Sequence, residues 1–204
     1  IYARRALPSF DEPAFKTPFD IQITTRDRYR ALSNTHEIDI KPLDNGFQRI
    51  TYATTEPLPT YLIAFAVGPL DVVKQQAIPP NAYRNRPLPL RGIAARGQGA
   101  KMSFALENTA ALVTELEKYF GIPYSFDKLD LVAVPDFAWG GMENAGLITY
   151  TESALLFDGQ PSTAQLRFFS NLHAHELAHH WFGNLVTMEW WDDVWLNEAF
   201  ATWI

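Results

Sequence analysis

His175-Glu176-Leu177-Ala178-His179 is the stretch of this 204-residue chain best suited to chemistry. Residues four apart on an α-helix differ in direction by about 400°, so the two imidazoles project from one face, one turn apart. Their nitrogens can then converge on a single metal ion at about 2.0–2.1 Å. Glu176, beside the first histidine, can reach the open side of that ion and take a proton from a water activated there. A structural zinc site closes with four protein ligands, usually including cysteine. This chain has no cysteine, which favours an open, catalytic site. Glu198, in Trp195–Trp203, is the candidate third ligand, since two histidines and a glutamate form a known catalytic set. The 18 residues between His179 and Glu198 leave room for a loop and a returning helix.

The neighbouring polar residues have plainer readings. His173 points about 200° away from His175 and is expected to pack or face solvent, and His180, about 100° off His179, to pack. Asp192 and Asp193 read as a helix cap or a solvated turn. The aromatic residues from Trp181 to Trp203 can wall the site and keep it dry, which strengthens local electrostatics.

The elements that must position these groups come in two styles. Phe19–Thr25, His36–Ile40 and Gln48–Ala53 alternate apolar and polar residues as strands do, and Asn45-Gly46 marks a tight turn between two of them. Tyr61–Val67 reads as a buried strand. Residues 75–100, dense in Pro, Asn, Arg and Gly, read as an exposed hairpin and linker whose arginines (Arg84, Arg86, Arg91, Arg96) form a solvated face. From Lys101 the period becomes helical through Met102, Leu106, Ala110, Val113, Leu116 and Phe120, with Gly121 as the stop. Leu129–Pro135 and Leu147–Thr151 read as strands. Ser162 or Thr163 caps a helix expected to reach about Phe182, and a last helix begins near Asp192 or Asp193.

Composition supports this division. Residues 1–100 carry 13 basic and 9 acidic side chains and 11 prolines, whereas residues 101–204 carry 4 basic, 14 acidic and 3 prolines, along with all six tryptophans. At 47% hydrophobic and 20% charged the chain is globular in composition rather than disordered. No 18-residue apolar run exists, so no membrane segment is expected in this chain. The opening Ile1-Tyr2-Ala3-Arg4-Arg5 resembles neither a signal peptide nor an initiator start. The net charge of −6 and the lack of a basic, aromatic-interleaved stripe argue against nucleic acid as a partner.

Taken with Gly140-Gly141-Met142-Glu143-Asn144, the His175–His179 motif and Glu198 resemble the gluzincin aminopeptidases of the aminopeptidase N type, peptidase family M1. Ala3-Arg4-Arg5, Phe10-Asp11-Glu12-Pro13-Ala14-Phe15-Lys16, Gly146-Leu147-Ile148-Thr149-Tyr150 and Trp181-Phe182-Gly183-Asn184-Leu185-Val186-Thr187 extend the likeness nearly end to end. The resemblance implies an α+β chain. Residues 1–98 would be the C-terminal part of an antiparallel β-sandwich or saddle domain, and residues 99–204 the first part of a thermolysin-like catalytic domain. It implies one zinc ion per chain on His175, His179 and Glu198, with Glu176 as general base. It further implies substrate binding by Gly140, Gly141, Met142, Glu143 and Asn144, with Glu143 holding the free α-amino group of a peptide. An ammonium taken out of water needs such a carboxylate partner.

Two positions depart from the usual family pattern: Gly141, where alanine is commoner, and Ala199, where glycine usually follows the third ligand. Trp139 is a candidate wall for the first side-chain pocket, with simple packing as the alternative. The family's oxyanion-stabilising tyrosine and a glutamine-bearing amine-binding segment would lie outside residues 1–204, so the chain is expected to be a fragment with little activity alone. Competing readings are a zinc endopeptidase or a bifunctional aminopeptidase/epoxide hydrolase, and a non-catalytic relative.

Overall fold

A computed structural model describes residues 3–204; Ile1 and Tyr2, and the reading made of them above, lie outside the described residues. The chain is α+β. Its first part holds strands β1 (Gln22–Arg26), β2 (Arg30–Ser33), β3 (Glu37–Leu43), β4 (Phe47–Tyr52) and β5 (Phe65–Gly68). Strands β1, β4 and β3 form an antiparallel sheet in that order, and β2 pairs antiparallel with β5. Between β3 and β4, Asn45 and Gly46 take φ of 60° and 71°, the left-handed pair that a tight hairpin turn requires.

The continuous strand expected over Tyr61–Val67 is not formed. Thr60–Leu62 is a 3-10 turn, and β5 is short, with Phe65 and Val67 on its exposed side. The apolar run is divided between two jobs: Leu62 is fully buried, while Tyr61 turns toward the second half of the chain.

The second part is built on β6 (Leu70–Ile78), β7 (Leu88–Ala95), α1 (Ser103–Phe120), β8 (Leu129–Val134), β9 (Gly141–Met142) and β10 (Leu147–Thr151), followed by α2 (Glu152–Leu155), α3 (Thr163–Ala178) and α4 (Trp195–Trp203). One mixed sheet runs in the order β6-β7-β8-β10-β9, parallel at β7–β8 and β8–β10 and antiparallel at both edges. The main core lies between this sheet and the helices. Leu90, Leu129, Leu131 and Ile148 meet Met102, Leu106 and Val113 of the α1 region and Phe169 and Leu177 of α3.

The proline- and arginine-rich stretch is therefore not a linker. Leu88, Leu90, Ile93 and Ala94 are buried, and β7 is an interior strand of the sheet. Pro89 is tolerated because the β6–β7 register shifts between Gln75 and Ile78, where a missing N–H breaks no ladder bond. The arginines do not form one solvated face either. Arg84 is buried with Nε 2.8 Å from Glu117 Oε1, and Arg91 is bidentate to Asp130 at 2.7 Å for both bonds. Only Arg86 and Arg96 stay at the surface, Arg86 paired with Asp127.

Candidate active site

Helix α3 begins with a reciprocal cap: Gln165 N donates to Ser162 Oγ, and Ser162 N donates to Gln165 Oε1. It ends earlier than the sequence suggests, at Ala178. Beyond that residue the bonds tighten to 3-10 type, His180 N to Leu177 O and Trp181 N to Ala178 O at 3.0 Å each, and the chain swings away. His175 therefore lies in the last turn and His179 at the C-cap.

The one-turn spacing brings His175 Nε2 and His179 Nε2 to 3.0 Å. Glu198, in the first turn of α4, places Oε2 3.3 Å from the first nitrogen and 3.7 Å from the second. A tetrahedral ion with ligands at 2.0–2.1 Å needs its donors about 3.3 Å apart, so the triangle has the right size for such an ion. The remaining ring nitrogens are committed. His179 Nδ1 lies 3.0 Å from Phe182 O, which makes it the N–H that donates to the carbonyl, so that in the neutral ring Nε2 carries the lone pair. His175 Nδ1 lies 3.2 Å from Thr202 Oγ1.

Two further carboxylates complete the surroundings. Donor atoms of Glu143, Glu176 and His179 all lie within 4.8 Å of one another. Glu176 is buried, and its Oε2 has no hydrogen-bond partner among the described residues. Burial, and next the charge of Glu143, push its carboxyl up to about 8. His179 responds in the opposite sense: burial pulls it down, but the Glu198 hydrogen bond and the surrounding carboxylates carry it to about 9. The hydrogen bonds from His175 and His179 hold Glu198 well below the usual carboxylate range.

The loop that brings Glu143 here is clamped from three sides. Asn34 Nδ2 donates to Ala145 O at 2.9 Å, Lys128 Nζ to Gly146 O at 2.7 Å, and Asn184 Nδ2 to Glu143 O at 2.9 Å. Gly146 has φ of 70°, and a Cβ there would come within 2.4 Å of Asn34 O, so the position requires glycine.

A cavity of about 590 Å³ opens over these groups, lined by Gly141, Met142 and Glu143 with His175, Glu176, His179 and Glu198. Gly140 and Asn144 lie behind it: a Cβ on Gly140 would meet Leu172, and Asn144 Oδ1 accepts from Thr149 Oγ1. Gly141 sits directly against Glu176, for a Cβ there would lie 2.3 Å from Glu176 Oε1. Trp139 lines the cavity while remaining 63% exposed. His173 is buried between Thr109 Oγ1 at 3.0 Å and Tyr150 OH at 2.7 Å, and His180 is buried with Nδ1 on Glu176 O. Trp191, within the aromatic stretch expected to wall the site, also lines the cavity, as do Tyr61 and Met188, which nothing local in the sequence marks.

Residues 104–204 match the model of the peptidase family M1 domain, and residues 1–62 match that of the peptidase M1 N-terminal domain. This chain belongs to peptidase family M1. Among curated M1 relatives it is 44% identical to endoplasmic reticulum aminopeptidase 2 of Bos taurus over 200 residues, which cover 98% of the chain and 20% of that protein. It is 43% identical to aminopeptidase M1-A of Oryza sativa subsp. japonica over 204 residues, 99% of the chain and 22% of the relative. With the puromycin-sensitive aminopeptidase of Caenorhabditis elegans it shares 41% over 203 residues, 98% of the chain and 21% of the relative. The M1 chain thus spans about a fifth of the length of these relatives. No helix among its described residues is long and apolar enough to cross a membrane.

Proposed function

We propose that this M1 chain carries the zinc-binding and amine-recognising part of an aminopeptidase site that removes the amino-terminal residue from peptides. The observation that supports this most is the nitrogen–nitrogen–oxygen triangle of His175, His179 and Glu198, flanked by two buried carboxylates. His175, His179 and Glu198 would hold zinc, which supplies Lewis-acid polarisation of the scissile carbonyl and a water nucleophile at neutral pH.

The chain's own residues account for the rest. Glu143 faces the cavity from a clamped loop, where it pairs with the substrate's α-ammonium and fixes the first carbonyl relative to Glu176. Glu176, buried beside the ligand triangle with Oε2 unpaired, accepts a proton from the attacking water and returns it to the leaving amine in this reading. Glu143 and Glu176 are both buried, so both carboxylates act in a setting of lowered dielectric. Anchoring the amine in this way makes the chemistry an exopeptidase's.

The test compares one peptide with a free and with an acetylated amino terminus, using the full-length gene product. The free peptide should be trimmed from its amino end and the acetylated one left intact. Equal cleavage of both would overturn the aminopeptidase assignment.

A further inference from the structure

The third ligand arrives on a different helix from the first two, so something must hold α4 against the end of α3. Tyr61 stands at that junction. It comes from the 3-10 turn Thr60–Leu62, far upstream in the chain. Its hydroxyl lies 3.2 Å from Gly183 O, to which it donates, and 3.3 Å from Asn197 Nδ2, from which it accepts. Gly183 lies four residues after His179, and Asn197 immediately precedes Glu198. The ring packs edge-on against Trp191, centroids 5.5 Å apart, in the turn that leads into α4. Asn197 is buried and so close to the backbone at Gly183 that a Cβ there would come within 3.1 Å of its Nδ2.

We propose that Tyr61 is a positioning residue for the metal-ligand set, its single hydroxyl fastening the segment that leaves His179 to the residue that precedes Glu198. A hydroxyl has one proton to donate and lone pairs to accept with, and both capacities are used here. Phenylalanine would keep the ring and its contact with Trp191 while removing both bonds. Glu198 Oε2 would then lose its fixed separation from the histidine nitrogens, although no ligand atom had been changed. Partners that orient metal ligands typically contribute 10–100-fold to metal affinity. The inference rests on the zinc reading above for the identity of the ion.

The experiment is a zinc titration of the full-length protein against a chromophoric chelator, for wild type, Tyr61→Phe, Asn197→Ala and the double variant. Tyr61→Phe should bind zinc 10–100-fold more weakly. Its melting temperature without metal should be unchanged, and the rise in melting temperature on adding zinc should shrink. Asn197→Ala, which removes one of the two bonds, should show a loss of the same sense, and the double variant little more than Tyr61→Phe alone, since the Asn197 bond is already gone there. Wild-type zinc affinity in Tyr61→Phe would overturn the proposal, as would a fall in the metal-free melting temperature with the zinc increment intact. Should Tyr61→Phe fail to fold, Asn197→Ala with undiminished zinc affinity overturns it equally. A wild-type protein that binds zinc but cleaves no peptide would sink the aminopeptidase reading alone, because the titration reads Tyr61 without turnover.

Discussion

Two of the charge clusters among the described residues are built on opposite plans. In one, Arg91 is bidentate to Asp130 and also reaches Glu37 at 3.1 Å, while Lys128 Nζ lies 2.8 Å from Asp130. Two cations meet two anions, and the buried charges answer one another from within the chain. In the other, Glu143, Glu176 and Glu198 surround two histidines, with no lysine or arginine among the described residues that line the cavity. Buried charge is tolerated when paired, so the first cluster is complete as it stands, whereas in the function proposed above the second takes its cation from outside. Where the internal balance closes, charge holds the fold together. Where it is left open, charge binds something.

The sharpest way to break this contrast is to remove one acid from each cluster. Glu176→Gln should lower kcat by about 10²–10⁴-fold, the usual contribution of a general base, while zinc content measured by atomic absorption stays near one per chain. Activity within a few-fold of wild type would remove Glu176 from the mechanism. Asp130→Ala should do the reverse. It strands Lys128 in the interior and leaves Arg91 with Glu37 alone, which costs about 3–5 kcal/mol in a urea unfolding curve. A loss under about 1 kcal/mol would mean that the closed cluster is not structural.

Acid sharpens the comparison further. Burial, and then the charge of His180, hold His173 down at about 3, against an ordinary value near 6.5. The unfolded chain therefore takes up a proton between these values that the folded chain refuses, so the contribution of His173 is complete above pH 6.5 and lost as the pH falls toward 3. The stability difference between wild type and His173→Gln, measured in chelator, should shrink over that interval. A difference independent of pH would contradict a neutral buried histidine. The smallest effect belongs to Glu198→Gln without metal: its side chain is 54% exposed, and stability should change by less than about 1 kcal/mol. A larger loss would mean that Glu198 serves the fold as well as the ion.

Legibility in the sequence followed how local each feature is. The ligand pair and the Ser162 cap are i, i+4 and i, i+3 relations, and the stop of α1 at Gly121 is set by one residue in a left-handed conformation with φ of 66°. Such features can be read from spacing alone. Strand β7 was hidden because its apolar rhythm is interrupted by Pro89, Arg91 and Gly92, each explained only by a distant partner. Pro89 faces a register shift in β6, Arg91 finds Asp130 on β8, and a Cβ on Gly92 would come within 2.8 Å of Met102 Sδ. Tyr61 was silent for the same reason, since both partners of its hydroxyl lie more than 120 residues away. The end of α3 fell short of Phe182 because the turn after His179 is set by the loop returning to Gly183, through Gly183 N to Val186 O at 2.7 Å, and not by helix propensity.

The parallel pairing of β7 with β8 has a practical consequence for anyone dissecting the protein. Composition suggests two pieces separable near residue 98, yet Leu90–Ile93 ladder directly onto Leu129–Val132 across that point. A polypeptide beginning at Gly99 would leave β8 with a bare row of amide and carbonyl groups beside Leu129, Leu131 and Val132. Such an edge recruits other strands, so the shortened protein should come out of solution as aggregate. Limited proteolysis should likewise spare this seam in the native state, despite its prolines and arginines.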